Sequence, residues 1–402
     1  MSNPGIHLDS PDSPTTLRPV RFADSTASVL LDLLRGLAAL TVFAEHARNL
    51  FLVDFPQIIS HRLLLAAPYV LTSAGHQAVI VFFILSGYFI SGAIFRAVER
   101  GQWLWSDYLM RRLVRLWVVL VPALLLGVLW DRLGLALGRA PGLYGGMVAN
   151  HMLHDVAQQL SPHIFLGNLF FVQTILVPTL GSNGALWSLA NEFWYYLLFP
   201  LGYFALRPST CPRQRWLYGM SFLALAWFVR GGVLGMFPIW LAGTLLCVLP
   251  APRLSPGRAR WARMLAAAVY ALLFFSIAKL TWLQGVASDY LLTAVTFPLL
   301  WLLLTARQPA QPQAVYVRAS REAARFSYTL YAVHTPVLVF LVSLKLGDTR
   351  LTPTLQHVLL ACGICLGVLL YAWGLAYLTE FRTDTLRRWL QRRLHLPAPP
   401  AA

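Results

Sequence analysis

The sequence predicts an all-α fold, a polytopic membrane helical bundle of about ten transmembrane helices, and three observations predict it. The first is composition. Of 402 residues, 57% are hydrophobic and only 12% are charged, and the mean hydropathy is +0.60. A soluble domain carries about a quarter charged residues, so this chain is matched to an apolar solvent. The second is the pattern of apolar runs, near 29–53, 69–95, 113–130, 185–206, 215–232, 233–250, 263–283, 289–306, 326–346 and 355–380. Each is long enough to be weighed as a crossing of a hydrocarbon core roughly 30 Å thick. The third is charge. The net charge is +16, and the basic residues gather in short stretches between the apolar runs, as the positive-inside rule describes.

Taken in order, residues 1–27 are rich in Ser, Pro, Asp and Thr and read as a disordered cytoplasmic N-terminal segment. The run that follows is too long for a signal peptide and contains Arg35 and Glu45, so it is expected to stay as the first transmembrane helix. The stretch 163–180 contains Asn168, Gln173 and Pro178. Counting it as a crossing would invert everything downstream and put most arginines outside, so it is expected to be re-entrant or interfacial. Both termini then face the cytoplasm, and the outer loops keep only Arg62, Arg132, Arg139 and Arg350. The outer segment 131–184, rich in His, Gln and Asn, is a candidate lid. Residues 28–381 form the transmembrane domain, and 382–402 form a basic cytoplasmic tail. No internal repeat of the transporter kind is visible.

Some functions are excluded at this level. No stretch interleaves basic and aromatic residues in a polar setting, so no nucleic acid is expected. Cys362-Gly-Ile-Cys365 has no second ligand pair, and no metal is expected. Gly363 and Gly367 stand at GxxxG spacing in the same run, which predicts a helix contact there.

Ionisable groups are costly at membrane depth and mark functional sites. Arg35, Glu45 and His46 share the first run. Eleven residues make about 3.06 helical turns, which puts Arg35 and His46 on nearly one face, roughly 16 Å apart along the axis. Glu45 lies about 100° round the helix from His46; it is a candidate to orient the ring or raise its basicity. Asp32, one turn before Arg35, is the structural partner expected for that arginine. Arg112 and Arg115, in Arg111-Arg112-Leu-Val-Arg115, share a face at the cytoplasmic end of the third run, where forked guanidinium groups match phosphate oxygens. Positive-inside anchoring is the plain alternative for that pair, and a helix–helix hydrogen bond is the plain alternative for His46. His76, Arg230, Lys279, His357 and Glu380 lie in or near the membrane without an assignment.

Five pieces then line up: Asp32-Leu-Leu-Arg35 through Glu45-His46; Val81-Phe82-Phe83-Ile84-Leu85-Ser86-Gly87-Tyr88; Arg112-x-x-Arg115; Ala185-Leu186-Trp187-Ser188-Leu189-Ala190-Asn191-Glu192; and Ser327-Tyr328-Thr329-Leu330-Tyr331-Ala332-Val333-His334-Thr335-Pro336. Together, in this order, they resemble the acyltransferase-3 family of integral-membrane O-acyltransferases, from about residue 28 to 380. The resemblance implies that His46 is the catalytic base, that acyl-CoA (acetyl-CoA by default) is the donor, and that the protein lies in a bacterial inner membrane. It also gives Glu192 a site role, in acceptor binding or in a salt bridge to Arg35. Trp187 and His334 are candidates to line the acceptor site, with interfacial anchoring of Trp187 and packing of His334 against Pro336 as alternatives.

The expected chemistry is acyl transfer. A hydroxyl attacking a thioester needs a positioned base, and His suits neutral pH. The donor's phosphates are expected against Arg112 and Arg115, with Arg35 further along its arm. The acceptor is a cell-envelope glycan, a lipid-linked sugar or a glycosylated metabolite, and membrane lipids surround the chain. The rival classes are a transporter or flippase of an amphiphile, which would couple to an ion gradient, and a non-catalytic scaffold, which leaves the buried charges unexplained. A membrane acyltransferase with its His late in the chain fits the early His46 poorly.

Overall fold

The computed structural model describes residues 22–148, 153–279 and 285–393. The N-terminal segment expected to be disordered lies outside the described residues up to position 21, as does the end of the basic tail, 394–402. Among the described residues the chain is helical: α1 Thr26–Phe51, α2 Arg62–Leu71, α3 Gly75–Glu99, α4 Trp105–Leu137, α5 Pro141–Tyr144, α6 Pro162–Leu169, α7 Trp187–Leu206, α8 Pro212–Phe228, α9 Gly232–Val248, α10 Pro256–Ile277, α11 Val286–Leu303, α12 Val315–Leu346, α13 Leu355–Leu378 and α14 Thr383–Arg393. Only isolated β-bridges accompany them. The architecture is a polytopic all-α bundle.

Among the described residues each of the ten apolar runs falls mainly on helix, the run near 69–95 being divided between α2 and α3. Among the described residues seven spans are long and apolar enough to cross a membrane: α1, α3 together with α2, α4, α10, α11, α12, and α13 together with α14. α8 and α9, at 17 residues each, reach about 26 Å. α7 has 20 residues but carries Asn191 and Glu192, which lower its apolar character. The stretch 163–180 holds only the eight-residue α6, about 12 Å long, and then leaves helical geometry. Its polar residues turn inward. Buried Asn168 donates to the carbonyl oxygens of Ile164 and Pro178 at 2.9 and 3.0 Å and accepts from the Leu180 N–H at 3.2 Å. Gln173 donates to the Leu186 carbonyl at 2.9 Å. Asp131 accepts from both the N–H and the hydroxyl of Ser182. Buried irregular backbone and buried polar side chains must find their partners within the protein, and through these bonds part of the segment read as a lid is tied into the bundle.

α12 is the central element. It packs against α1, α4 and α13, and every residue from Thr329 to Val339 is buried, the signature of a helix enclosed on all sides. α1 packs on α12 and on α3, and α3 on α9. The α3–α9 contact is backbone to backbone: a β-carbon on Gly87 would collide with the Trp240 carbonyl oxygen, and one on Gly243 with that of Ile84. At Gly363 and Gly367, expected at a helix contact, an added β-carbon would instead meet nothing within 4 Å. α13 buries only the other stripe, Val368, Ala372 and Ala376, and its glycines face away from the bundle.

Candidate active site

α1 and α12 bring two histidines together. His46 Nδ1 lies 2.8 Å from His334 Nε2, and the rings stack with centroids 5.0 Å apart and planes 27° from parallel. One turn earlier on α12, the Leu330 carbonyl oxygen lies 2.8 Å from His334 Nδ1. A carbonyl only accepts, so His334 Nδ1 carries the proton and donates. In the neutral ring His334 Nε2 is then an acceptor, and His46 must donate to it from Nδ1. The remaining nitrogen, His46 Nε2, holds a lone pair and has no hydrogen-bond partner among the described residues. The Thr335 hydroxyl lies 3.2 Å from His334 Nε2 and 3.5 Å from His46 Nδ1. His46 lines a cavity of about 240 Å³ with Glu45, His76, Gly184, Trp187, Tyr331 and Thr335.

A second cavity, about 260 Å³, holds the arginines. Arg35 from α1, Arg112 and Arg115 from α4, and Glu192 from α7 line it, together with Ser86, Tyr196 and Tyr328. Val79 and Tyr331 line both cavities, so a narrow wall separates the arginines from His46. Asp32 accepts from Arg35 at 3.0 Å, as its position one turn away predicts. Arg112 packs over the rings of Tyr108 and Tyr196, 5.4 and 5.7 Å from their centroids. Three donors are buried here without a partner: Arg35 Nε, Arg112 Nε and the Tyr328 hydroxyl. Neither Arg112 nor Arg115 forms an ion pair among the described residues. Arg112 is half-buried and Arg115 is exposed; both line the cavity, and cations without a counter-charge at an enclosed site make it suited to an anionic or strongly accepting ligand.

Two acids singled out in the sequence find partners that it did not name. The Glu45 carboxylate does not contact His46. Its Oε2 accepts from the Gly75 N–H at 2.8 Å and so caps α3, whose N-cap residue Ala74 has no side chain that can do so. Glu192 is not paired with Arg35. Its Oε1 accepts from the Ser86 hydroxyl at 3.1 Å and from the Tyr196 hydroxyl. In both cases helix rotation sets which donor the acid faces, which sequence alone does not give.

The profile of a family described as an acyltransferase domain matches residues 29–377. The chain belongs to the acyltransferase-3 family. It is also similar to Acyltransferase MdmB from Streptomyces mycarofaciens, at 33% identity over 188 residues, 46% of this chain and 41% of that protein. The chain thus matches less than half the length of that curated relative. No solved structure matches it.

Within the acyltransferase domain, the five sequence pieces converge. The first and last supply the two histidines, and the second, third and fourth wall the arginine cavity. Trp187 and Ser188, adjacent in sequence, divide between the two cavities. Ser188 donates to the Tyr331 hydroxyl at 2.7 Å, which donates to the Ala185 carbonyl at 2.9 Å. Glu380, left unassigned by the sequence, accepts from the N–H and hydroxyl of Thr329 on α12 at 3.1 and 2.8 Å. The sequence reading missed Asp289, an acid at the start of α11 that is bonded to His76. Its signal was the one that marked Glu45, a lone carboxylate inside an apolar run.

Proposed function

We propose that this chain is an integral-membrane O-acyltransferase that moves an acyl group, acetyl by default, from cytoplasmic acyl-CoA to a hydroxyl of a glycan, lipid-linked sugar or glycosylated metabolite. The observation that carries the reading is the bonded chain Leu330 carbonyl, His334, His46, which leaves a single lone pair on His46 Nε2. A fixed tautomer is what a general base needs. In this mechanism the acceptor hydroxyl gives its proton to His46 Nε2 as its oxygen bonds the thioester carbon. The tetrahedral intermediate collapses, the carbon–sulfur bond breaks, and the thiolate takes the proton back from His46. While His46 is cationic, its Nδ1–H bond to His334 is charge-assisted and stronger.

The unpartnered donors of Arg35, Arg112 and Tyr328 support a donor site in the arginine cavity. Arg112 and Arg115 would meet the donor's phosphate oxygens there, and Glu192 would hold Ser86 and Tyr196 in place. Arginine-rich segments on the side of the N-terminus support a cytoplasmic donor entrance, with the acceptor arriving from the opposite face of the inner membrane of a bacterial cell.

The test is equilibrium binding of acetyl-CoA to purified protein in lipid nanodiscs, wild type beside Arg112→Ala/Arg115→Ala. Saturable binding to wild type that weakens by about 100-fold or more in the double variant is expected if two charge-assisted contacts are lost. Equal binding by both proteins would remove the phosphate clamp. No binding by folded wild type would remove acetyl-CoA as the donor.

A further inference from the structure

The His46 cavity carries a second imidazole that the acyl-transfer step does not use. His76, in the first turn of α3, places Nε2 2.8 Å from Oδ1 of Asp289 at the start of α11. A carboxylate accepts, so Nε2 carries the proton and donates. The same ring lies against the Trp187 indole, with centroids 6.0 Å apart and planes 19° from parallel. His76 is thus fixed both at an edge and on a face. The Asp289 side chain is 2% exposed while that of His76 is 46% exposed, and Asp289 Oδ2 has no partner. His76 Nδ1 has no hydrogen-bond partner among the described residues. A pairing that served stability alone would hide both members, because burying a carboxylate is costly. Here the carboxylate is hidden and the imidazole it orients is presented on the cavity that His46 lines.

We propose that Trp187, His76 and Asp289 form the acceptor subsite, and that it takes an uncharged, polyhydroxylated sugar ring. The proposal rests on the acyl-transfer reading above. A pyranose has an apolar C–H face and a rim of hydroxyls. The indole of Trp187 offers a flat face for the first. His76 offers Nδ1 to accept from one hydroxyl, held in position by Asp289, while another hydroxyl is left for His46 Nε2. A simple alkyl alcohol has no use for a carboxylate-oriented imidazole. A phosphorylated acceptor would meet the carboxylate of Glu45, which lines the cavity, with that of Asp289 just behind His76. Asp289 acts through His76 and is a positioning residue.

The test uses full-length protein in nanodiscs with acetyl-CoA as donor, octyl glucoside, galactoside and mannoside as sugar probes, and octan-1-ol as the sugar-free comparator. His76→Phe keeps an aromatic ring on Trp187 and removes the hydrogen bond. His76→Phe/Asp289→Leu also removes the carboxylate that the first variant orphans, so a folding loss in one does not decide the result. In both variants KM for the preferred glycoside is expected to rise about tenfold, as for loss of one hydrogen bond, with KM for acetyl-CoA and the octanol rate unmoved. Saturation-transfer NMR with methyl glycosides on His46→Ala protein reads the subsite without turnover, and its signal should fall in the His76→Phe background. An unchanged glycoside KM, a rise shared with octanol, or a wild type that binds acetyl-CoA but acetylates none of the glycosides would overturn the subsite. Wild type that binds no acetyl-CoA yet gives the sugar signal would instead overturn the donor reading and leave the sugar site standing.

Discussion

Replacing His334 by alanine removes the atom that accepts from His46 Nδ1 at 2.8 Å and frees the base to turn or to change tautomer. The cost can be worked from that one bond. A buried hydrogen bond whose partner is deleted costs about 1–3 kcal/mol, which is roughly 5- to 150-fold if it is felt fully in the transition state. His46→Ala removes the base itself and should cost about 10²- to 10⁴-fold. The assay is release of free coenzyme A thiol by nanodisc-embedded protein at saturating acetyl-CoA and octyl glycoside. His334→Ala is expected to lower kcat by about one to two orders of magnitude. His334→Gln, whose amide oxygen can accept in place of Nε2, should recover part of the loss. The decisive measurement is the double variant. If His334 acts only through His46, adding His334→Ala to His46→Ala costs nothing further. A His334→Ala enzyme with wild-type kcat, or losses that multiply in the double variant, would refute the relay.

Two further outcomes follow from the packing. Glu45→Gln retains an oxygen to accept from the Gly75 N–H and should keep wild-type kcat, whereas Glu45→Ala uncaps α3 and should lose about 0.5–2 kcal/mol in a denaturation series; a kcat collapse in Glu45→Gln at unchanged stability would place Glu45 in the chemistry. Gly243→Ala forces a methyl group against the Ile84 carbonyl oxygen and should destabilise by about 1–3 kcal/mol, read as a lower midpoint of thermal unfolding in the same lipid. An unshifted midpoint would mean that α3 and α9 pack less closely than described.

Much of the site was legible because hydrocarbon makes buried charge expensive. Arg35, His46, Arg112, Arg115, Glu192 and His334 stood out as ionisable groups in or at the ends of apolar runs, and the structure gathers them round two adjoining cavities. Asp32 was also legible as the partner of Arg35, because a partner one turn away is fixed by helix geometry alone. The motif order marked the family without any knowledge of contacts.

Long-range partnerships were not legible. His46 meets His334 across 288 residues, His76 meets Asp289 across 213, and Glu45 meets Gly75 across 30. Glu45 accepts from the Gly75 N–H and forms no hydrogen bond to its neighbour His46, because adjacent residues on a helix point about 100° apart. The GxxxG pair of α13 turned outward because a helix packed on one side buries one stripe, and spacing alone does not say which. From its residues, then, the sequence determined that the chain is an apolar helical bundle, where its helices lie, and which polar groups need partners, since burial in an apolar medium fixes those needs one residue at a time. Only the tertiary structure decided which partner each group found, and hence which nitrogen of His46 is left basic, because that depends on how each helix is rotated and at what depth it meets its neighbours.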